Sequence, residues 1–296
     1  MASKELQAII DDFRSRPALG DLPIEEQRAS MEASFTQVPM EPDVQCEPVD
    51  AGGVPAEFVI TPETDEGRVL YYLHGGGYVL GSIATHREMA SRLARAAKSR
   101  VLLIDYRLAP ENPFPAAVED AVTGYRWLLS SGIKPDRIVI AGESAGGGLT
   151  AATLVALRDK GEPLPAAAVC ISPWADMACS GESMVTRADI DPLVTRDVLL
   201  EMVQVYLGDK DPCTPLASPI YADLTGLPPL LIQVGTAEVL YDDATRLVEK
   251  AKEADVPVIF EPWEDMIHMW HSFAGMLPEG QQAINRIGEF VLEHTG

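Results

Sequence analysis

The chain has 296 residues, 47% of them hydrophobic and 23% charged, enough apolar material for a large core under an ordinary polar surface. Its 45 acidic and 23 basic residues leave a formal charge of −22, a field that repels phosphate backbones and argues against a nucleic-acid partner. No run of about 18 apolar residues occurs, so no membrane span is expected.

The opening MASKELQAIIDDFRSR lacks the basic-then-apolar layout of a secretory leader and reads as the start of an amphipathic helix, so a cytoplasmic location is expected. Helical patterning continues to about residue 45. From there short apolar runs alternate with longer helical patterns, the signature of a mostly parallel sheet with helices on both faces. Strands are predicted over 54–61, 68–74, 101–106, 137–142, 166–172, 230–235 and 258–262. Several are continuous aliphatic runs, as strands covered on both faces should be. Helices are predicted over 86–97, 115–130, 240–254 and 279–294. The segment 181–210 breaks the alternation after a strand and also reads as helical. Open α/β sheets bind ligands at the carboxyl ends of their strands, so segments 1–45 and 181–210 are expected to form a cap there on a single domain. Cys46, Cys170, Cys179 and Cys213 show no C-x-x-C spacing; neither a metal site nor a disulfide framework is expected.

Two motifs carry chemistry. The run RIVIAG leads into Gly142-Glu143-Ser144-Ala145-Gly146, followed by a helical pattern. This is G-x-S-x-G in the context it needs: strand, sharp turn, helix. A nucleophile on such a turn has strained backbone angles, and side chains flanking it would clash, hence the glycines. The turn raises the Ser144 hydroxyl at a helix N-terminus, where free N–H groups favour a developing anion. Upstream, the strand at 68–74 ends in His74-Gly75-Gly76-Gly77-Tyr78. Three consecutive glycines expose backbone N–H groups to an incoming oxygen. A phosphate cradle would need the lysine of a P-loop or the dinucleotide spacing, and both are missing. Beside Ser144, the amides of Gly75, Gly76, Gly77 and Ala145 are the expected oxyanion hole.

With HGGG at 74–77, DYRLAPE at 105–111, GESAGGG at 142–148 and MIHMW around His268, the chain resembles the hormone-sensitive-lipase-like family of bacterial carboxylesterases, within the α/β-hydrolases. The likeness runs from about Val44 to the C-terminus. It implies the α/β-hydrolase fold, a helical cap, and a DYRLAPE segment that braces the oxyanion loop, with Arg107 and Glu111 as structural ions. It also allows a homodimer through an edge strand, although no residue pattern requires one.

A serine hydroxyl needs a base, and α/β-hydrolases keep the chain order serine, acid, histidine. Of the histidines after Ser144, His294 falls near the end of a helix and reads as a surface residue. His268 and His271 both lie in EDMIHMWHSF after the last strand; His268 comes first and matches the family's block, with His271 as the rival. For the acid, Asp191-Pro192-Leu193 spells a tripeptide the family often uses, but no strand precedes it. A helix N-terminal role is expected there. The family's acid position is the turn after 230–235, which holds Glu238; Asp242 and Asp243 fall in the helix behind it. Glutamate is a departure from the commoner aspartate, yet it can orient an imidazole equally well.

The resemblance implies hydrolysis of short- to medium-chain acyl esters of small molecules, without metal or cofactor. Trp174 and Tyr206 are expected to contact substrate, with Met184, Leu193 and Val203 as further candidates for the roof of an apolar pocket or for plain cap packing. A lactonase or amide deacylase would use the same triad. A receptor on this fold would be expected to lack a triad member, usually the histidine; here each role has a candidate.

Overall fold

The computed structural model describes residues 3–15 and 22–296. The central apolar runs become strands because alternate side chains of each find a helical layer on either face of one sheet. Among the described residues that sheet has eight strands: β1 (Gln45–Asp50), β2 (Pro55–Ile60), β3 (Asp65–Leu73), β4 (Ser99–Ile104), β5 (Ile138–Glu143), β6 (Ala167–Ile171), β7 (Leu230–Gly235) and β8 (Val258–Trp263). Their spatial order is β1-β2-β4-β3-β5-β6-β7-β8. β2 pairs antiparallel with both β1 and β4, and all other neighbours are parallel.

The two-residue period is visible in the core. Val69, Tyr71 and Leu73 of β3 join one apolar cluster, while Leu70 and Tyr72 join the other. The first cluster is covered by α4 (Ala116–Ser130), α5 (Ala145–Asp159) and α8 (Tyr241–Glu253), the second by α3 (Ile83–Ala97) and α9 (Pro278–His294). This is the α/β-hydrolase arrangement. The seven expected strands and four expected helices are present, with ends displaced by a few residues at most. β1 was not expected: it sits at the sheet edge, mostly exposed, and carries Pro48, which cannot donate to a ladder.

Outside the layers lie α1 (Lys4–Ser15), α2 (Ile24–Phe35), α6 (Ser183–Thr186) and α7 (Arg196–Leu207). Residues 1–2 and 16–21 of the expected cap are outside the described residues. α1 buries Leu6, Ile9 and Ile10 against Met266, Ile267 and Trp270, in the segment after β8. The sheet order positions the chemistry. β3 connects outward to β4 and the chain then returns to β5 on the other side of β3, so the loops after β3 and β5 meet at a switch point. These loops hold His74–Gly77 and Ser144.

Candidate active site

Ser144 stands between β5 and α5 with φ 57° and ψ −122°, a backbone state that costs on the order of 1–3 kcal/mol for a residue with a side chain. Packing holds it there. Its N–H donates to the Ile171 carbonyl at 2.9 Å, and its carbonyl accepts from Trp174 N at 2.8 Å. A Cβ on Gly146 would overlap the Leu73 and His74 carbonyl oxygens, so only glycine lets α5 start this close to β3.

The imidazole of His268, in the turn after β8, reaches Ser144 from one ring nitrogen and Glu238 from the other. Nε2 lies 3.0 Å from Ser144 Oγ, and Nδ1 lies 2.6 Å from Glu238 Oε2. The second oxygen of Glu238 accepts from the Ser172 hydroxyl at 2.7 Å and the Gly235 amide at 2.6 Å. A carboxylate held on both oxygens fixes Nδ1 as the protonated nitrogen and leaves Nε2 to accept from serine. Burial opposes a charge on His268, but Glu238, with Asp191 and Glu143 further off, outweighs it and raises the ring's pKa above 6.5.

The rivals are occupied elsewhere. His271 Nε2 faces the Gln233 carboxamide oxygen at 2.8 Å; burial, with His268 nearby, lowers its pKa to about 3, so it is a neutral core residue. Asp242 accepts from the Ser183 amide and Asp243 from those of Ala175 and Asp176, tying α8 to the loop after β6. Asp191 accepts from the amides of Leu193, Val194 and Val239. It does not start α7, which Thr195 caps through Val198 N.

The glycine run is only partly available. Gly75 N–H donates to Glu143 Oε1, so Gly75 is removed from the expected oxyanion donors. The amides of Gly76, Gly77 and Ala145 have no acceptor among the described residues. Gly76 and Gly77 both have positive φ, which turns the loop beneath the cavity. Glu143, which fits the family's acidic residue before the nucleophile but had no partner assigned from sequence, is fully buried and also binds the Tyr72 hydroxyl and His86 Nε2. Tyr106 of DYRLAPE donates to the His74 carbonyl at 2.7 Å, bracing the same loop. Arg107 pairs with Asp120, and Glu111 with Arg28 of α2. Arg28 also donates to the carbonyls of Val79 and Ala109, a clamp the sequence reading missed.

Over Ser144 and His268 lies a cavity of about 270 Å³. Its apolar wall includes Trp174 and Leu193, as expected, together with Phe13, Phe35, Met202 and Phe273. Tyr206 is not on this wall. It is fully buried and stacks on Tyr78 at 4.0 Å between centroids, so its role is packing of α7 against the loop. Met184 and Val203 likewise pack into the core instead of the cavity. The wall-lining Met202 sits one helical step from the expected Val203, a distinction of α7 rotation that hydropathy does not resolve.

A serine on a strand-to-helix turn, a histidine bonded to it, a carboxylate behind the histidine and free amides beside it define a serine hydrolase site. Residues 70–272 match the family described by the alpha/beta hydrolase fold. An acetyl-hydrolase of Streptomyces hygroscopicus is 54% identical over 248 residues, 84% of this chain and 83% of that protein. An esterase of Acinetobacter venetianus is 37% identical over 253 residues, covering 85% and 83%. The crystal structure of an esterase from the bacterial hormone-sensitive lipase family matches over 100% of both chains, with 52% identity and a TM-score of 0.97. The chain belongs to the alpha/beta hydrolase fold family, in its bacterial hormone-sensitive-lipase-like branch. It is a carboxylic ester hydrolase of the serine type.

Proposed function

We propose that Ser144, His268 and Glu238 hydrolyse short- to medium-chain acyl esters of small molecules through an acyl-enzyme. The observation that carries this reading is the continuous hydrogen-bonded chain from Glu238 through His268 to Ser144, beside three unoccupied amides. Ser144 Oγ attacks the ester carbonyl as His268 Nε2 takes its proton. The carbonyl oxygen becomes an oxyanion received by the amides of Gly76, Gly77 and Ala145, each worth on the order of 3 kcal/mol in the transition state. Glu238 stabilises the imidazolium without taking its proton. Collapse expels the alcohol, which leaves with the proton from Nε2. Water, deprotonated by the same nitrogen, then attacks the acyl-enzyme and restores Ser144.

The described parts of segments 1–45 and 181–210 serve as the cap, since Phe13, Met31 and Phe35 from the first and Leu193, Val194 and Met202 from the second line the cavity. A half-open apolar cavity of about 270 Å³ beside Ser144 has room for a small acyl group. The test is turnover of p-nitrophenyl esters from acetate to palmitate, with fluorophosphonate labelling and a Ser144→Ala control. Turnover should peak among the short and medium chains, and the control should lose both turnover and labelling. Full activity in Ser144→Ala would overturn the assignment.

A further inference from the structure

Asp191 lies between α6 and α7 and is only 7% exposed. Its Oδ1 accepts from Leu193 N at 2.9 Å and Val194 N at 3.0 Å, two residues that line the cavity over Ser144. Its Oδ2 accepts from Val239 N at 2.9 Å, across 48 residues of sequence. Val239 directly follows Glu238. One buried carboxylate thus joins the cavity wall to the turn that presents the triad's acid. The turn has a second tie to the same insertion, through the Ser183 hydroxyl on the Val239 carbonyl at 2.5 Å. Burial raises the pKa of Asp191, opposed by His268 when protonated and by the three amides that bind the carboxylate.

We infer that Asp191 is a positioning residue of the triad: it holds the Glu238 turn in register and places a second negative charge near the imidazolium of His268. This rests on the esterase reading of Ser144, Glu238 and His268. During acylation His268 becomes a cation in a buried site. The ionisable groups that act on it are Glu238, in direct contact, and Asp191, Glu143 and His271 at longer range. His271 is neutral, so the three carboxylates carry the compensation. Fixing Asp191 by three amides keeps its charge in place without motion during the reaction, the condition for electrostatic stabilisation to lower a barrier.

The test compares Asp191→Asn and Asp191→Glu with the wild type on p-nitrophenyl acetate, with rates divided by the concentration of sites that react with a fluorophosphonate. That normalisation removes any loss of folded protein. Asp191→Asn should lower kcat by about tenfold with KM changed less than about twofold, because the defect lies in the transition state. The acid limb of its kcat/KM profile should move to lower pH by about half a unit, since a negative charge near His268 is gone. Asp191→Glu should keep the limb near its wild-type position. In a Glu238→Gln background, Asp191→Asn should cost less than about twofold more, because the two residues act through one histidine. An unmoved acid limb in Asp191→Asn, or fully additive losses in the double variant, would reduce Asp191 to a tie within the insertion. An inactive wild type would sink the esterase reading itself, and this inference with it.

Discussion

His86 Nε2 lies 2.7 Å from Glu143 Oε1, and that carboxylate also holds the Gly75 amide and the Tyr72 hydroxyl. The other ring nitrogen of His86 lies 2.7 Å from the Thr85 hydroxyl and 3.1 Å from the Ser82 carbonyl. With the Thr85 hydroxyl donating to that carbonyl at 2.8 Å, Nδ1–H can donate to the Thr85 oxygen, and the raised pKa of His86 favours a buried ion pair with Glu143, between the strand that carries Ser144 and the glycine loop. Burial disfavours both charges, but each partner outweighs it: the pKa of His86 is raised and that of Glu143 lowered.

Removing one member leaves the other buried and unpaired. His86→Ala should destabilise the fold by about 3–5 kcal/mol in urea unfolding, whereas Glu143→Gln should cost less, because His86 can then shed its proton. The pair's contribution should follow pH with a definite sign. The His86 part is complete below its ordinary 6.5 and is lost as pH rises through the raised value. The Glu143 part is present above its ordinary 4.5 and is lost as pH falls through the lowered value. The stability lost in His86→Ala should be largest between those two ordinary values. A pH-independent difference would remove the ion pair from this account.

Glu238→Gln should keep the fold and lower kcat by on the order of 10³–10⁴, since an amide offers His268 Nδ1 the wrong hydrogen-bond pattern. Asp242→Asn should leave kcat within about tenfold of the wild type, because Asp242 binds the Ser183 amide and not the imidazole. Steady-state rates at saturating ester decide it. A dead Asp242→Asn beside an active Glu238→Gln would exchange the two roles.

The pH profile of kcat/KM with a neutral ester should show a single acid limb. His268 must be neutral to accept the serine proton, and its pKa is raised, so activity should fall as pH drops through a midpoint above 6.5. His271, with a pKa near 3, should not contribute to that limb. A midpoint well below 6.5 would mean that burial outweighs the carboxylates around His268.

Much of this was legible in the chain because it is local. Strands covered on both faces announce themselves as aliphatic runs, and a strand-to-helix elbow with its glycines occupies a few consecutive residues. β1 escaped because an exposed edge strand containing Pro48 has neither the run nor the alternation. Gly75 was misjudged for a related reason. Three glycines say that amides are exposed, and only the partner 68 residues away says that one of them is already taken.

Asp191 marks the same boundary. Its sequence context offered a catalytic aspartate or a helix start, and its carboxylate instead bonds across 48 residues to the turn bearing Glu238. The sequence by itself determined the elbow that carries Ser144, the fold class and the chain order of Ser144, Glu238 and His268, since these rest on short-range backbone geometry and hydrophobic period. Tertiary structure alone decided which amides remain free, which α7 side chain faces the cavity, and how the buried carboxylates divide their partners. Those depend on hydrogen bonds between segments far apart in the chain, where burial favours pairing of donors with acceptors and spacing carries no record of which ones pair.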